Sequence, residues 1–288
     1  MYPASFEYHR ASSVADALAL MERYGDDAKV LAGGHSLLPI MKLRFASPAH
    51  LIDIGRIAAL SGISESGGSI VIGAMTRHAD VASSAAIARS LPALSDAAAA
   101  IGDVQVRNLG TIGGSLAHAD PGADMPAVML ALRAQIVVTG KTGDRTIAAD
   151  SFFTETFATS LRAGELVTQV RIPVPGAGSG SAYAKYRDVA SGYAVVGVAA
   201  LVTVVGGKVT AASVAMTGLS SKATRLTAVE TALVGQAANA ASAGTAARVA
   251  GKGLELYDDA RGSAAYKANL ATVHATRALT SALGRAGG

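Results

Sequence analysis

The chain has 288 residues, half of them hydrophobic and 16% charged, with no cysteine and a formal net charge of +4. Such length and polarity describe a globular protein with room for one large or two to three small domains. The missing thiols exclude a disulfide, a cysteine nucleophile and a cysteine-ligated iron–sulfur cluster in this chain, and the scattered basicity gives no support for nucleic-acid binding.

The start, MYPASFEYHR, has charges and turn formers where a signal peptide would have an apolar run, so the cytoplasm is the default expectation. Ser12 or Ser13 caps a predicted helix in which Val14, Leu18 and Met21 recur at helical spacing, and Gly25 ends it. Lys29-Val30-Leu31 reads as a strand running into AGGHS. SLLPIMKLR then has helical character, and His50 to Ile54 reads as another strand. These elements close a first unit over residues 1–56.

A second unit over 57–175 mixes strands around Ser69 to Ile72 with an Ala-rich helical run from Val81 to Ala100, a second Gly-Gly turn and a helix from Asp124 to Arg133. Strands follow at Ala134 to Thr139 and Glu165 to Ile172. Pro173 to Gly180 is the strongest linker signal in the chain and sets off a last domain over 178–288. That domain begins with strands from Ala182 to Met216, then turns helical through Ala228 to Val249 and Ala264 to Leu283, an α+β order. Val189 to Gly207 carries no charge, but Ser191, Gly192, Gly197, Gly206 and Gly207 punctuate it, which predicts a buried strand and no membrane span.

Two loops carry chemistry: Ala32-Gly33-Gly34-His35-Ser36 and Thr111-Ile112-Gly113-Gly114-Ser115, the second continuing as LAHADPGADMPA. Glycine lets a backbone approach a ligand, and successive N–H groups at such turns or at a helix N-terminus form an anion-binding concavity that suits a diphosphate. Neither Ala32 to Ile40 nor Gly110 to Met125 contains Lys or Arg, so backbone dipoles and hydroxyls would balance the charge. Carboxylates repel a diphosphate, which leaves Asp120 and Asp124 to meet sugar hydroxyls or cap a helix. A single Gly-Gly-His-Ser is ordinarily just a turn; two matching loops suggest a bipartite cradle. Neither GxGxxG nor GxxxxGK[ST] occurs, which disfavours a Rossmann site and an NTPase.

AGGHSLLPIMKLR, RNLGTIGGSLAHADPGADMPA and LRAGELVTQVRIPVP, in this order, resemble the medium subunits of aerobic carbon monoxide dehydrogenases in the molybdenum-hydroxylase family, relatives of the flavin domain of xanthine dehydrogenase. The resemblance spans essentially the whole chain. It implies an α+β protein with a two-part FAD-binding domain of the vanillyl-alcohol-oxidase (PCMH) type and a C-terminal α+β domain of strands then helices. It also implies FAD held by Ala32, Gly33, Gly34, His35, Ser36 and Leu37 and by Thr111, Ile112, Gly113, Gly114 and Ser115 at the pyrophosphate. Ala117, Asp120 and Asp124 would run along the ribityl and ribose part, with Ile101, Leu161, Leu166, Val167, Lys185 and Tyr193 around the rings. Aliphatic side chains pack on flat rings, Lys185 could hydrogen-bond a ring carbonyl, and Tyr193 could stack. An aliphatic residue in a strand is nevertheless more often simply core. The chain departs from the family pattern in KYRDVASGYA, with Asp188 in a basic run and Gly192 before Tyr193, and in Ser115 where many relatives have Asn.

The resemblance implies no catalytic residue in this polypeptide. Its partners would be a large subunit with the molybdopterin cofactor and a small subunit with iron–sulfur clusters, in a dimer of heterotrimers (a heterohexamer). Electrons would pass through FAD to an external acceptor such as quinone, with the complex cytoplasmic or at the inner membrane face. Related complexes oxidise aldehydes, purines and N-heterocycles in place of CO, and a stand-alone flavin oxidoreductase or a scaffold that has lost FAD are further alternatives. His9, His50, His78 and His274 are scattered, no two of the six histidines show HxxxH spacing, and a metal site is not expected. Ser36, His118 and Asp124 could compose a hydrolase triad, but the chain has no GxSxG elbow.

Overall fold

In the computed structural model, which describes residues 2–259 and 262–287, Ser13 Oγ accepts the Asp16 N–H at 3.1 Å and opens the first helix. Met1, Ala260, Arg261 and Gly288, which fall in the first and last expected domains, lie outside the described residues. The first unit runs through β1 (Glu7–Arg10), α1 (Val14–Tyr24), β2 (Ala28–Leu31), α2 (Leu37–Lys42) and β3 (His50–Asp53). β3 lies between β1 and β2 and is parallel to both, so all three strands deliver their C-terminal ends to the same side. Ala17 of α1 and Ile52 of β3 share a core with Ile54 and Leu60.

The second unit contains β4 (Ile63–Ser66), β5 (Ser69–Gly73), α3 (His78–Ser83), α4 (Ala85–Ser90), α5 (Pro92–Ala100), α6 (Val104–Leu109), α7 (Ile112–His118), α8 (Asp124–Ala131), β6 (Gln135–Gly140), β7 (Gly143–Ala148), α9 (Ala149–Phe152), β8 (Phe153–Glu155), β9 (Ala158–Thr159) and β10 (Leu166–Pro173). Five of its strands form one antiparallel sheet in the order β4-β5-β10-β6-β7, while β8 and β9 pair separately. The helical run expected from Val81 to Ala100 is broken twice. Ser84 leaves helical geometry to cap α4, and Leu91, preceding Pro92, is pushed out of the α region. Gly113 and Gly114 are likewise not a turn; they occupy the first helical turn of α7, capped by Thr111.

The third unit is a sheet in the order β11 (Ser179–Arg187), β12 (Ala194–Val205), β13 (Lys208–Thr217) and β14 (Thr224–Arg225), followed by α10 (Thr227–Leu233), α11 (Ala240–Ala247) and α12 (Ala264–Ala286). The helix expected over 228–249 is two helices, because residues 234–239 leave helical geometry and Asn239 caps α11. β12 explains its uncharged sequence by burial on both faces. Ala199 enters the core of the second unit, whereas Val198, Ala200 and Val202 enter the core with α12. Among the described residues no helix is long and apolar enough to cross a membrane. The same two-sided packing places α5 and α8 against β11, β12 and β13 and so joins the second and third units.

Candidate functional site

The first glycine loop leaves β2 at the C-terminal end of the parallel sheet. None of the N–H groups of Gly33, Gly34, His35 and Ser36 meets an acceptor among the described residues. Four consecutive donors without protein partners form the kind of concavity that takes an anionic oxygen. His35 folds back on this loop, with Nδ1 3.0 Å from Gly33 O. Gly33 is required by close approach: a Cβ there would overlap Leu109 O and Gly110 Cα, where α6 hands over to α7.

The second loop uses its donors differently. Ile112 N–H donates to Thr76 O at 3.0 Å, Gly113 N–H to Ala74 O at 2.8 Å, Gly114 N–H to Thr111 Oγ1 at 3.2 Å and Ser115 N–H to Thr111 O at 3.0 Å. Its main chain therefore buttresses the site, and what it offers a ligand is small side chains and the Ser115 hydroxyl. The two loops face one cavity of about 610 Å³, within the usual range for a bound small molecule.

Every residue expected around the cofactor lines that cavity except Ile112 and Lys185. Ile112 is fully buried in the core. Lys185 Nζ is engaged by protein, donating to Asp124 Oδ2 at 2.8 Å, Gly192 O at 2.8 Å and Ala100 O at 3.0 Å. Asp124, the first residue of α8, accepts from Tyr183 Oη through its other oxygen at 2.5 Å. Burial pushes the Asp124 carboxyl up, and the Lys185 ammonium and Tyr183 hydroxyl hold it back; burial beside that carboxylate drives the Tyr183 phenol well up.

Ile101, Leu161, Leu166 and Val167 supply an aliphatic wall, and Tyr193, 36% exposed, lines the same space. Burial and then the Asp120 charge raise the Tyr193 phenol above its ordinary value. The segment bearing Tyr193 is a closed turn. Asp188 Oδ1 accepts from Ala190 and Ser191 N–H at 2.9 and 3.0 Å, Asp188 N–H donates to Tyr193 O at 2.9 Å, and Gly192 takes φ +75°. Asp188 and Gly192, which depart from the family pattern, thus suit the turn they build. The adjoining Asp120–Ala123 segment is clamped by the third unit, since Thr217 Oγ1 donates to Pro121 O at 2.5 Å and Ala194 N–H to Gly122 O at 3.1 Å.

Several lining residues carry no signal in the sequence. Lys29 of β2 brings a cation to the cavity that neither loop contains. His78 is 4% exposed; burial lowers it to about 4, and its Nδ1 has no hydrogen-bond partner among the described residues. Glu165 is held at about 2 by the Arg145 guanidinium, which grips both its oxygens at 2.7 and 2.6 Å. The hydrolase alternative has no geometry: Asp124 belongs to Lys185 and Tyr183, while His118 Nε2 lies 3.9 Å from Asp120 Oδ2, and burial lowers His118 against the pull of that carboxylate.

Residues 4–175 match the family model described as the FAD binding domain in molybdopterin dehydrogenase, and residues 181–282 match the CO dehydrogenase flavoprotein C-terminal domain. The carbon monoxide dehydrogenase medium chain of Hydrogenophaga pseudoflava is 44% identical, with 99% of each chain covered. The alpha subunit of the 6-hydroxypseudooxynicotine dehydrogenase complex of Paenarthrobacter nicotinovorans is 40% identical over 99% of this chain and 97% of its own. A solved carbon monoxide dehydrogenase from Hydrogenophaga pseudoflava, lacking the Mo-pyranopterin moiety of its cofactor, superimposes with a TM-score of 0.95 at 46% identity, covering 99% of both chains.

Proposed function

The chain belongs to the family of FAD-binding medium chains of molybdopterin dehydrogenases, and from that membership we propose that it is the FAD-carrying electron relay of a molybdenum hydroxylase complex, with CO oxidised in a partner and water supplying the oxygen atom. The observation that carries the cofactor reading is the run of N–H groups from Gly33 to Ser36 that meet no acceptor among the described residues, in a loop lining the same cavity as an aliphatic wall. Those donors suit a diphosphate, and Lys29 adds charge. Ile101, Leu161, Leu166 and Val167 suit the flat faces of a ring system, and Tyr193 bounds it. Bound FAD would supply the ability to accept electrons singly and hold two.

What this chain's own residues do is bind and position. Lys185 acts through Asp124 and Gly192, fixing the start of α8 and the turn that presents Tyr193, and does not itself line the cavity. The scheme requires no general acid or base here. A large molybdopterin subunit, a small iron–sulfur subunit, a heterohexamer, a quinone acceptor and a cytoplasmic location at the membrane's inner face complete the proposal.

The 40% identity to a 6-hydroxypseudooxynicotine dehydrogenase subunit favours a second reading, a relay serving the oxidation of an N-heterocyclic compound. The absorption spectrum of the purified native complex, recorded before and after anaerobic CO addition with the released cofactor identified by chromatography, separates the two. FAD bleached by CO supports the first reading. FAD bleached only by an aldehyde or heterocycle keeps the relay and discards CO, and a complex without flavin overturns both.

A further inference from the structure

On β1 and at the start of β3, among residues that do not line the cofactor cavity, three potential ligands converge. Glu7 and His9 lie two residues apart on β1 and share a face, and the parallel register sets Glu7 beside His50 of β3. His9 Nε2 is 3.1 Å from His50 Nδ1 and 3.8 Å from Glu7 Oε2, and His50 Nδ1 is 3.4 Å from Glu7 Oε2. A tetrahedral zinc ion with ligands at about 2.0–2.2 Å separates neighbouring ligand atoms by about 3.3–3.5 Å, so this triangle already has nearly the required edges.

The two imidazoles are held in place. Tyr24, the last residue of α1, stacks on His50 with ring centroids 3.9 Å apart and on His9 at 4.6 Å. The histidine side chains are about one-fifth exposed (20% and 18%), and that of Glu7 is 72% exposed, so an ion has an entry path and water has room at a fourth position. Such preorganisation lowers the cost of collecting ligands.

We propose that Glu7, His9 and His50 form a zinc site with two imidazole ligands, one carboxylate and one water. Nitrogen and oxygen donors at tetrahedral spacing with an open position fit Zn2+ better than Mg2+ or Ca2+, which take oxygen in larger numbers. None of the three ligands lines the cofactor cavity, although Lys29, which does, pairs with Leu51 next to His50. The ion therefore acts as a clip between the first strand and the centre of the sheet.

The test uses the full 288-residue chain, purified without a polyhistidine tag, stripped with chelator and equilibrated with zinc. Elemental analysis is expected to find about one zinc per chain, falling below about a tenth in a His9→Gln/His50→Gln variant. The exposed Glu7→Gln change, which leaves the fold intact, is expected to weaken zinc binding by about tenfold or more. Cobalt substitution of the wild-type chain is expected to give the intense visible bands of tetrahedral Co2+, a readout independent of any variant. Zinc retained equally by the double variant, or weak octahedral cobalt bands, would overturn the site and leave a histidine–histidine hydrogen bond beside a carboxylate. Flavin content reads the relay separately, since neither change touches the cavity.

Discussion

Lys185 Nζ and Asp124 Oδ2 meet at 2.8 Å with both side chains 5% exposed, joining β11 of the third unit to the first residue of α8 in the second. Asp124 lines the cavity and Lys185 does not, and the pair sets the position of two things the cavity needs, the N-terminus of α8 and, through Gly192 O, the turn bearing Tyr193.

Removing one partner leaves a buried charge alone. Lys185→Met is expected to destabilise the chain by about 3–5 kcal/mol, whereas Lys185→Met combined with Asp124→Leu recovers much of that loss. Urea unfolding of the three proteins measures it. A double variant as unstable as the single one would show that the cost lies in packing and not in the orphaned carboxylate.

Gly33 tolerates no side chain, because its Cα faces Leu109 O and Gly110 Cα. Gly33→Val is expected to cost about 1–3 kcal/mol and to lower the FAD-to-protein ratio, as the loop must move away from α7 and carry its four donors with it. The ratio of flavin absorbance to protein checks the second effect, and a wild-type ratio would remove the first loop from the binding site.

At Gly192 the φ of +75° is the governing fact. Gly192→Ala is expected to cost about 1–2 kcal/mol, and Gly192→Asn less, since Asn tolerates left-handed backbone. Thermal unfolding should rank them wild type, Asn, Ala. The flavin absorption envelope should follow that order, because the same turn presents Tyr193.

Acid should destabilise the protein in two windows. His78 and His274 are both lowered to about 4 from 6.5, so the unfolded chain binds their protons first. The stability they contribute is complete above pH 6.5 and is lost as pH falls toward 4. Glu165, lowered from 4.5 to about 2 by Arg145, contributes stability above pH 4.5 that is lost as pH falls toward 2. Chemical unfolding at a series of pH values should show His78→Phe with a shallower slope between pH 6.5 and 4, the remainder belonging to His274. Glu165→Gln should flatten only the lower window.

Local signals read well where they were complete in themselves. The Ser13 cap and Gly25 stop bounded α1, and the Gly-Gly turn after an uncharged Val-rich run ended β12. The spacing of Val81 to Ala100 did not reveal the breaks at Ser84 and Leu91, since Ala fits a continuous helix equally well and only packing chose the interruptions. The pair Gly113-Gly114 looked like a turn because glycine is a poor helix former; Thr111, two residues earlier, was the cap that announced a helix.

The amino-acid sequence by itself determined the bounds of α1 and the end of β12, and through AGGHS and TIGGS it determined the family and the kind of ligand. Those are properties of short windows, where hydrophobic period and backbone freedom act without reference to the rest of the chain. The tertiary structure alone decided that Gly33 packs on the turn before α7, that Lys185 is taken up by Asp124, and that His9 and His50 stand side by side. Each of these depends on strand register and sheet-to-helix packing across 41 to 76 positions (50 minus 9; 109 minus 33), and register is set by which faces are buried together, a quantity no short window contains.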